Sequence, residues 1–442
     1  MLITVREMAA FESVFELDGA REAVDEGRAS VLLTAALTKC GAAPSHLRLS
    51  NKSFSEGAAR VIATGLRERC MGSVRVADLS DIIAGKSEEE ALEVLRIICD
   101  ALDGCAIVDL NLSDNALGRP GVLACNAVLS GKHLEKLYVC NDGLSAEAAV
   151  TLHEILAKDG MPALSVFHFF NNMSGDGGAL AVADIVRACP LLVDFRFSAT
   201  RSQRPGCLAI AQALVTHPSG VLRSLDLGDC MFGGEAATQL ATAIANQKAL
   251  ISLNLRDAGL SEEGLVNVLK VLPNCSGLTH LDLSGDGVEG EEAVALLVSV
   301  CASLKDTLRE LSLDDNAIES DGAIVLAKAL SKNKNSALHS LSLCTCELTA
   351  AGANALAKAV AKLPSFSTLK LDGNAICSRG VEEISGVLLR AGKILGDLED
   401  NDEDGDDDLD EDEGEGDEDE EEEDESGADD LAAALAATKL EP

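Results

Sequence analysis

The sequence contains few aromatic residues and few basic ones. Its 442 residues include no Trp, one Tyr and ten Phe, so a core must be filled by Leu, Val, Ile and Ala. Lys and Arg together number 36 against 74 Asp and Glu, which gives a formal net charge of −38. An acidic surface repels nucleic acid and anionic lipid and attracts basic partners. We therefore expect neither nucleic acid nor a membrane as a partner.

Long apolar runs and clustered cysteines are also missing. No apolar run approaches the ~20 residues that cross a bilayer, and the start of the chain has early acids without the apolar core of a signal peptide. The 14 cysteines lack the paired spacings of a zinc site, since the closest pair, Cys344 and Cys346, has no second pair to complete it. Reduced thiols in the cytosol or the nucleus are the simplest interpretation, and we expect a cytoplasmic location.

Motifs that carry catalysis are absent from the sequence. There is no GxxxxGK[ST] phosphate loop and no GxSxG elbow, and the seven His are scattered without metal-ligand spacing. His168 lies between Phe167 and Phe169, so we expect it to point away from the core. The composition thus favours a binding protein over an enzyme, with no cofactor and no metal of its own.

A short phrase of alternating apolar residues recurs along the chain. It is clear in LNLSDNALG from Leu110 and in LSLDDNAIE from Leu311, and we call the first residue of each such stretch the anchor. The spacing of successive anchors is nearly constant from Leu110 onward, at 28–30 residues after a first step of 27, which is a period of known structural repeats. The twelve anchors, of which the first two are weaker copies, are Leu47, Ala77, Leu110, Leu137, Phe167, Phe195, Leu225, Leu253, Leu281, Leu311, Leu341 and Leu369.

The phrase and the segment after it predict a strand followed by a helix. Alternation in LxL is the period of a short strand with one buried face, and SDGAIVLAKALSKN at 320–333 carries the apolar stripe of an amphipathic helix. Strand, turn and helix repeated at this length are typical of the leucine-rich repeat, and a full helix in each unit is typical of its ribonuclease-inhibitor-like subclass. The predicted fold is an α/β leucine-rich-repeat horseshoe solenoid, with parallel strands on the concave face and helices on the convex face.

Three segments follow from this pattern. We predict an N-terminal helical cap over 1–46 with a helix at 27–40, about twelve repeats over 47–393, and a disordered acidic tail over 394–442. Residues 397–426 hold 23 Asp and Glu and no Lys or Arg, so they cannot bury enough apolar surface to fold. We expect one continuous horseshoe, no order beyond about residue 397, and an intact fold after deletion of 397–442.

The position five residues after the anchor is the usual place of Asn or Cys in such repeats. A buried side chain there can bond backbone groups of the turn that would otherwise be unpaired, and we call it the ladder position. Cys230 and Cys346 are therefore expected to be core residues and not nucleophiles or ligands. The Asn residues at the ladder position are Asn115, Asn172, Asn316 and Asn374.

The first strand exit with unusual polar residues lies in SDIIAGKSEEEALEVL at 80–95. The step from Ala77 to Leu110 is longer than any other step between anchors, so this turn can extend outward and reach a partner. It carries Asp81 and Lys86. Lys86 equally fits a solvated lysine that pairs with the glutamates at 88–90.

The second strand exit is LYVCNDGLS at 137–145. Asp142 takes the ladder position, and Asn141 precedes it at the end of the strand, where it should point toward the concave rim. From spacing alone a plain turn residue is the favoured interpretation of Asn141, because Asn tolerates left-handed backbone geometry, and a functional role is the alternative.

At these residues the chain resembles the Ran GTPase-activating proteins, especially those of plants and algae. The matching stretches cover roughly residues 45–425, and their ordered set is more specific than any one of them. They are LSNKSFSEGAARV (49–61), DLSDIIAGKSEEEALEVL (78–95), LNLSDNALG (110–118), LYVCNDGLS (137–145), FHFFNNMSGDGGALAVADIV (167–186) and ILGDLEDNDEDGDDDLDED (394–412).

The resemblance implies a protein that docks on the small GTPase Ran in its GTP form and stimulates GTP hydrolysis, in support of nucleocytoplasmic transport. Such a protein supplies no arginine finger and orders Ran's own glutamine and attacking water, with GTP and magnesium held by Ran. Asn141 falls on the family's key asparagine. Asp81, Lys86, Asp142 and Asn171 are assigned to partner binding, and a Ran-binding protein is a further candidate partner.

Three departures from the family pattern bear on this expectation. The family has Arg where this chain has Lys86, which keeps the charge and loses the planar two-pronged donor. No WPP-type targeting domain precedes the repeats and no folded domain follows the acidic run, so anchoring at the nuclear envelope is left open.

Two other classes of function remain as alternatives. Histone-binding chaperones also join leucine-rich repeats to an acidic tail, but their repeats are fewer and shorter and contain little helix. A protein-binding scaffold without effect on nucleotide turnover is the other.

Overall fold

The computed structural model describes residues 13–40, 43–69, 72–158, 160–402, 404–405 and 408–409. The chain divides into two compact units, with the boundary between Gly287 and Val288. Each of the twelve predicted anchors is the central residue of a three-residue strand. None of these anchors is more than 2% exposed, which confirms the strand prediction and its buried face.

Unit one contains a row of parallel strands that pair in chain order, with every anchor aligned on the next. Two further short strands, β2 and β4, pair separately with each other. The strands are β1 (Val14–Glu16), β2 (Glu22–Val24), β3 (His46–Arg48), β4 (Lys52–Phe54), β5 (Val76–Asp78), β6 (Asp109–Asn111), β7 (Lys136–Tyr138), β8 (Val166–His168), β9 (Asp194–Arg196), β10 (Ser224–Asp226), β11 (Ser252–Asn254) and β12 (His280–Asp282).

A helical segment follows nearly every strand of the row, and consecutive helices pack side by side. Small and aliphatic side chains fill the space between helices and strands, so the core needs few aromatic rings. The helices are α1 (Glu26–Lys39), α2 (Glu56–Arg69), α3 (Glu88–Ala101), α4 (Gly118–Ala124), α5 (Asn126–Leu129), α6 (Ala146–Ala157), α7 (Gly175–Ala188), α8 (Arg204–Thr216), α9 (Glu235–Asn246) and α10 (Glu262–Val271), after which a 3₁₀ turn covers Leu272–Asn274.

Unit two repeats the same arrangement with four parallel strands in chain order. Its strands are β13 (Glu310–Ser312), β14 (Ser340–Ser342), β15 (Thr368–Lys370) and β16 (Ile394–Leu395). Its helices are α11 (Gly290–Ser303), α12 (Glu319–Asn333), α13 (Ala350–Ala361) and α14 (Ser378–Arg390). In the described ranges of both units, no helix is both long enough and apolar enough to cross a bilayer.

The ladder position behaves as predicted. The Asn172 amide accepts from the backbone N–H of Asp142 at 3.1 Å and donates to the carbonyl of Val139 at 2.9 Å. The thiols of Cys230 and Cys346 are buried and donate to backbone carbonyls of the preceding repeat. Burial raises the pKa of Cys346 to about 12, so this thiol is a core donor and not a nucleophile.

The N-terminal segment is more than a helical cap. The predicted helix is present as α1, but β1 also adds a strand beside β3, so the row begins before the first anchor. Lys52 takes the ladder position after β3 and is fully buried, and its ammonium donates to the carbonyls of Gly19 and Ala20 at 2.9 and 2.6 Å. A charged group can lie there because backbone carbonyls accept its hydrogen bonds.

The start of the acidic run is ordered against the last repeat, which corrects the expected limit near residue 397. The amide of Asn401 accepts from the backbone N–H of Ile376 at 3.2 Å and donates to the carbonyl of the same residue at 2.9 Å. The Asp408 carboxylate accepts from the backbone N–H of Ala351 at 2.9 Å, in the first turn of α13, where a negative charge is favourable. The remainder of the tail prediction, from residue 410 on, lies outside the described residues.

Gly405 permits this close approach. A Cβ atom at Gly405 would lie 2.1 Å from the carbonyl oxygen of Ala375, well inside van der Waals contact. The described residues within 396–409, which we call the C-terminal strap, therefore add polar contacts to the last repeat where apolar burial is lacking.

We predict that the C-terminal strap stabilises the protein. Truncation after residue 395 should lower the free energy of unfolding by about 1–3 kcal/mol, because buried groups of the last repeat lose their hydrogen-bond partners. Truncation after residue 409 should leave it unchanged. Chemical denaturation of the two truncated chains and the full chain measures the difference, and equal stability of all three would show that the strap contributes nothing.

Candidate functional site

Each strand of the parallel row from β3 to β11 leads into a turn with a left-handed residue four positions after the anchor. Their φ angles lie between 51° and 64°, a region that Asn and Asp tolerate better than other residues with a side chain. These residues, which we call the strand-exit row, are Asn51, Asp81, Asp114, Asn141, Asn171, Ala199, Asp229 and Asp257.

A cleft of about 830 Å³ lies along the first part of this row. It brings together three of the residues predicted from the sequence, Asp81, Lys86 and Asn141, although a whole repeat separates the first two from the third. The cleft also contains Arg21 and Asp114, which the sequence did not single out. Both signs of charge therefore face one open space.

The longer turn after β5 places Lys86 at this cleft. The turn is held by Ser53, whose hydroxyl donates to the carbonyl of Ala84, and by Asn115, whose amide oxygen accepts from the backbone N–H of Ile82. The Lys86 side chain is 16% exposed, and its ammonium lies 3.6 Å from a carboxylate oxygen of Glu90. The predicted pairing with a glutamate is present, but this lysine is largely enclosed and not freely solvated.

Asp81 is held by Arg21 in a two-pronged ion pair. The guanidinium of Arg21 lies 2.7 and 2.8 Å from the two carboxylate oxygens, and the Asp81 side chain is 12% exposed. The two residues are far apart in the sequence, and no pattern in the N-terminal segment indicated the pair. Asp81 is therefore available to a partner only through its remaining lone pairs or by exchange of the arginine.

Asn141 is exposed and joined to its neighbours in the strand-exit row. Its Nδ2 donates to Asp114 Oδ1 at 2.8 Å, and its Oδ1 accepts from Nδ2 of Asn171 at 3.0 Å. Asn171 is exposed too. An amide has two N–H groups and two oxygen lone pairs, so one donor and one acceptor of Asn141 remain for a partner.

Asp142 lies directly below this row and is fully buried. One carboxylate oxygen accepts from the backbone N–H of Asn115 at 2.9 Å, and the other is buried without a hydrogen-bond partner. Burial raises the pKa of Asp142 well above its usual range. A side chain without exposed surface offers no direct contact, so this placement does not support the assignment of Asp142 to partner binding.

Asp142→Asn should stabilise the protein by about 1 kcal/mol at neutral pH, because an amide nitrogen can donate where the second oxygen is unpaired. The folded state holds the Asp142 proton more tightly than the unfolded state does. Below the unfolded pKa both states are protonated, and the penalty grows as the pH rises toward the folded pKa. The gain should therefore be smallest near pH 4 and larger at pH 7. Urea denaturation at both pH values tests this, and a gain that falls with rising pH would contradict it.

The free face of the sheet carries further polar groups beside this site. The ring of Tyr138 meets that of His168 edge to face at 5.0 Å, and His168 Nε2 lies 3.1 Å from a carboxylate oxygen of Asp194. The guanidinium of Arg196 lies 3.6 Å from the centre of the Phe170 ring. His168 thus points away from the core, as predicted.

Strands, left-handed exits and buried ladder residues in this register define the chain as a leucine-rich-repeat protein. A family model described as "Leucine Rich repeat" matches residues 306–327. "Ribonuclease inhibitor" of Mus musculus is 25% identical over 275 residues, which cover 52% of this chain and 56% of the inhibitor.

Two relatives carry a more particular similarity. "RAN GTPase-activating protein 2" of Arabidopsis thaliana is 40% identical over 138 residues, which cover 31% of this chain and 25% of that protein. "RAN GTPase-activating protein 1" of the same plant is 43% identical over 94 residues, which cover 21% of this chain and 17% of that protein. The resemblance to this family that the sequence indicated is confirmed. The chain aligns with a quarter or less of the length of these two relatives.

Proposed function

We propose that this protein binds Ran in its GTP form and stimulates GTP hydrolysis by Ran, without an active site of its own. The observation that supports it most is the meeting of Asn141 and Lys86 at one cleft, where Asn141 exposes an unused donor and acceptor. GTP hydrolysis by small GTPases is limited by the positioning of the attacking water and of the GTPase's own side chains. One well-placed amide from a bound protein can therefore raise the rate of hydrolysis strongly.

The charges of the cleft fit this role. Lys86 brings a positive charge to the cleft that Asn141 also lines, while Arg21 neutralises Asp81 in the same space. An enclosed lysine can pair with a carboxylate of the GTPase at little cost in side-chain entropy, because its rotamers are already restricted. The proposed division of labour is that Lys86 contributes to docking and Asn141 acts on the catalytic arrangement.

The test measures GTP hydrolysis by purified Ran with and without this protein, which is added in amounts far below that of Ran. Each molecule should promote many turnovers on GTP-loaded Ran, and Ras or another small GTPase should show no acceleration. Binding of Ran without acceleration would identify a scaffold, while neither binding nor acceleration would remove the proposal. Binding of histones in place of Ran would favour the chaperone alternative. A role in nucleocytoplasmic transport is proposed only on the basis of Ran as the partner.

A further inference from the structure

Asn141 does not stand alone in the strand-exit row. Asn171, Asn141 and Asp114 occupy the same register on three consecutive repeats and form one hydrogen-bonded chain, with donor-to-acceptor distances of 3.0 and 2.8 Å. All three are left-handed, with φ of 53°, 56° and 64°, so their side chains leave the turns in the same direction. Neighbouring parallel strands are about 4.8 Å apart, a spacing that two short amide or carboxyl side chains can bridge.

The hydrogen-bonded chain from Asn171 through Asn141 to Asp114 has a direction, and Asp114 determines it. A carboxylate only accepts hydrogen bonds, so the group of Asn141 that faces Asp114 must be its NH₂. The amide oxygen must then face Asn171, which can donate to it. A flip of the Asn141 amide would place its oxygen against the carboxylate, which costs that hydrogen bond, and the bond to Asn171 would survive only if Asn171 flipped as well.

We infer that Asp114 is a positioning residue that, together with Asn171, fixes which end of the Asn141 amide donates and which accepts toward the bound GTPase. This inference rests on the proposed function. An amide that is free to rotate presents its donor and acceptor in either order, and only one order can match a given hydrogen-bonding group of the partner. Fixing the order before binding removes a reorganisation step from the reaction, which is the general advantage of a preorganised site.

The arrangement makes an exchange experiment possible. In the double variant Asp114→Asn/Asn171→Asp, the new amide at position 114 donates to Asn141, and Asn141 donates to the new carboxylate at position 171. Net charge, composition and the number of hydrogen bonds are unchanged, but the direction of the chain is reversed. At saturating amounts, the variant should lose tenfold or more in the single-turnover rate of GTP hydrolysis by Ran, with its affinity for GTP-loaded Ran measured separately because Asn171 is itself assigned to partner binding. Asp114→Asn alone, which permits both directions, should show an intermediate loss.

The matched control is Asp229→Asn, the same substitution at the same register three repeats beyond Asn141. It should match the parent in melting temperature, affinity and rate. An exchanged double variant that hydrolyses at the parent rate, in a background where the parent stimulates Ran, would overturn the inference and leave the proposed function standing. A parent chain that does not stimulate Ran would instead remove the proposed function.

A second measurement needs no GTPase. With ¹⁵N at asparagine side chains, the NH₂ signals of Asn141 are identified by their loss in Asn141→Ala. Asp114→Ala should shift these signals, and Asp229→Ala should not. If Asp114→Ala leaves them in place, the hydrogen-bonded chain does not exist in solution and the inference is wrong, whichever partner the protein binds.

Discussion

Replacement of Asn141 by alanine should reduce the stimulated rate of GTP hydrolysis by Ran about 10²-fold, the scale for the loss of one positioned hydrogen-bonding group near a transition state. Binding to GTP-loaded Ran should weaken much less, because the group acts mainly on the transition state and little on the ground-state complex. Single-turnover hydrolysis at saturating amounts of the variant, with affinity measured separately, distinguishes the two effects.

The fold should survive this substitution. Ala199 already occupies the same left-handed position on the row at φ 51°, so alanine is compatible with the turn. Asp229→Ala is the matched control, since it also places alanine at a left-handed residue of the strand-exit row but lies away from the cleft. A folded, Ran-bound Asn141→Ala protein that hydrolyses at the parent rate would disprove the proposed role of this residue.

Lys86→Ala should cause the second-largest loss, of roughly tenfold in the affinity for GTP-loaded Ran, because an enclosed charge that pairs with a carboxylate contributes more than an exposed one. Lys86→Arg should match or exceed the parent, since a guanidinium can bind a carboxylate through two parallel hydrogen bonds. The measurement is the equilibrium affinity of the three proteins for Ran, with hydrolysis rates at saturation as a second readout.

A purely structural role of Lys86 is separable from partner binding. The ammonium lies 3.6 Å from Glu90, and such an ion pair contributes about 0.2–1 kcal/mol to stability at most. Glu90→Gln removes the same pair and leaves the lysine charge. If Glu90→Gln weakens Ran binding as much as Lys86→Ala does, the lysine acts through its ion pair with Glu90 in α3 and not through the partner.

The repeat pattern predicted the local structure of this chain closely. An alternating apolar phrase can bury one face only as a strand, and a stripe at i, i+3, i+4 and i+7 can bury one face only as a helix. All twelve anchors, together with the buried ladder role of Asn172, Cys230 and Cys346, were therefore accessible from spacing alone. The prediction of a functional Asn141 came from resemblance, because spacing alone favoured a plain turn residue.

The two ends of the repeats were predicted less well, for a physical reason. Strand β1 has no full repeat phrase before it, and it is a strand because β3 offers it an edge with which to pair. The C-terminal strap is acidic and poor in apolar residues, and it packs on the last repeat because the Asn401 amide bonds the backbone of Ile376 and Gly405 fits against Ala375. Such contacts depend on the shape of the preceding repeat, which composition does not express.

The sequence by itself determined the strand and helix register, the buried ladder and the acidic balance, because these follow from the period of apolar residues and from counted charges. Only the tertiary structure decided which polar side chains meet. It paired Arg21 with Asp81 across distant parts of the sequence, buried Asp142 and exposed Asn141 next to it, and joined Asn141 to Asp114 and Asn171. The reason is that parallel strands bring residues a full repeat apart to hydrogen-bonding distance, while adjacent residues at a strand exit point in opposite directions.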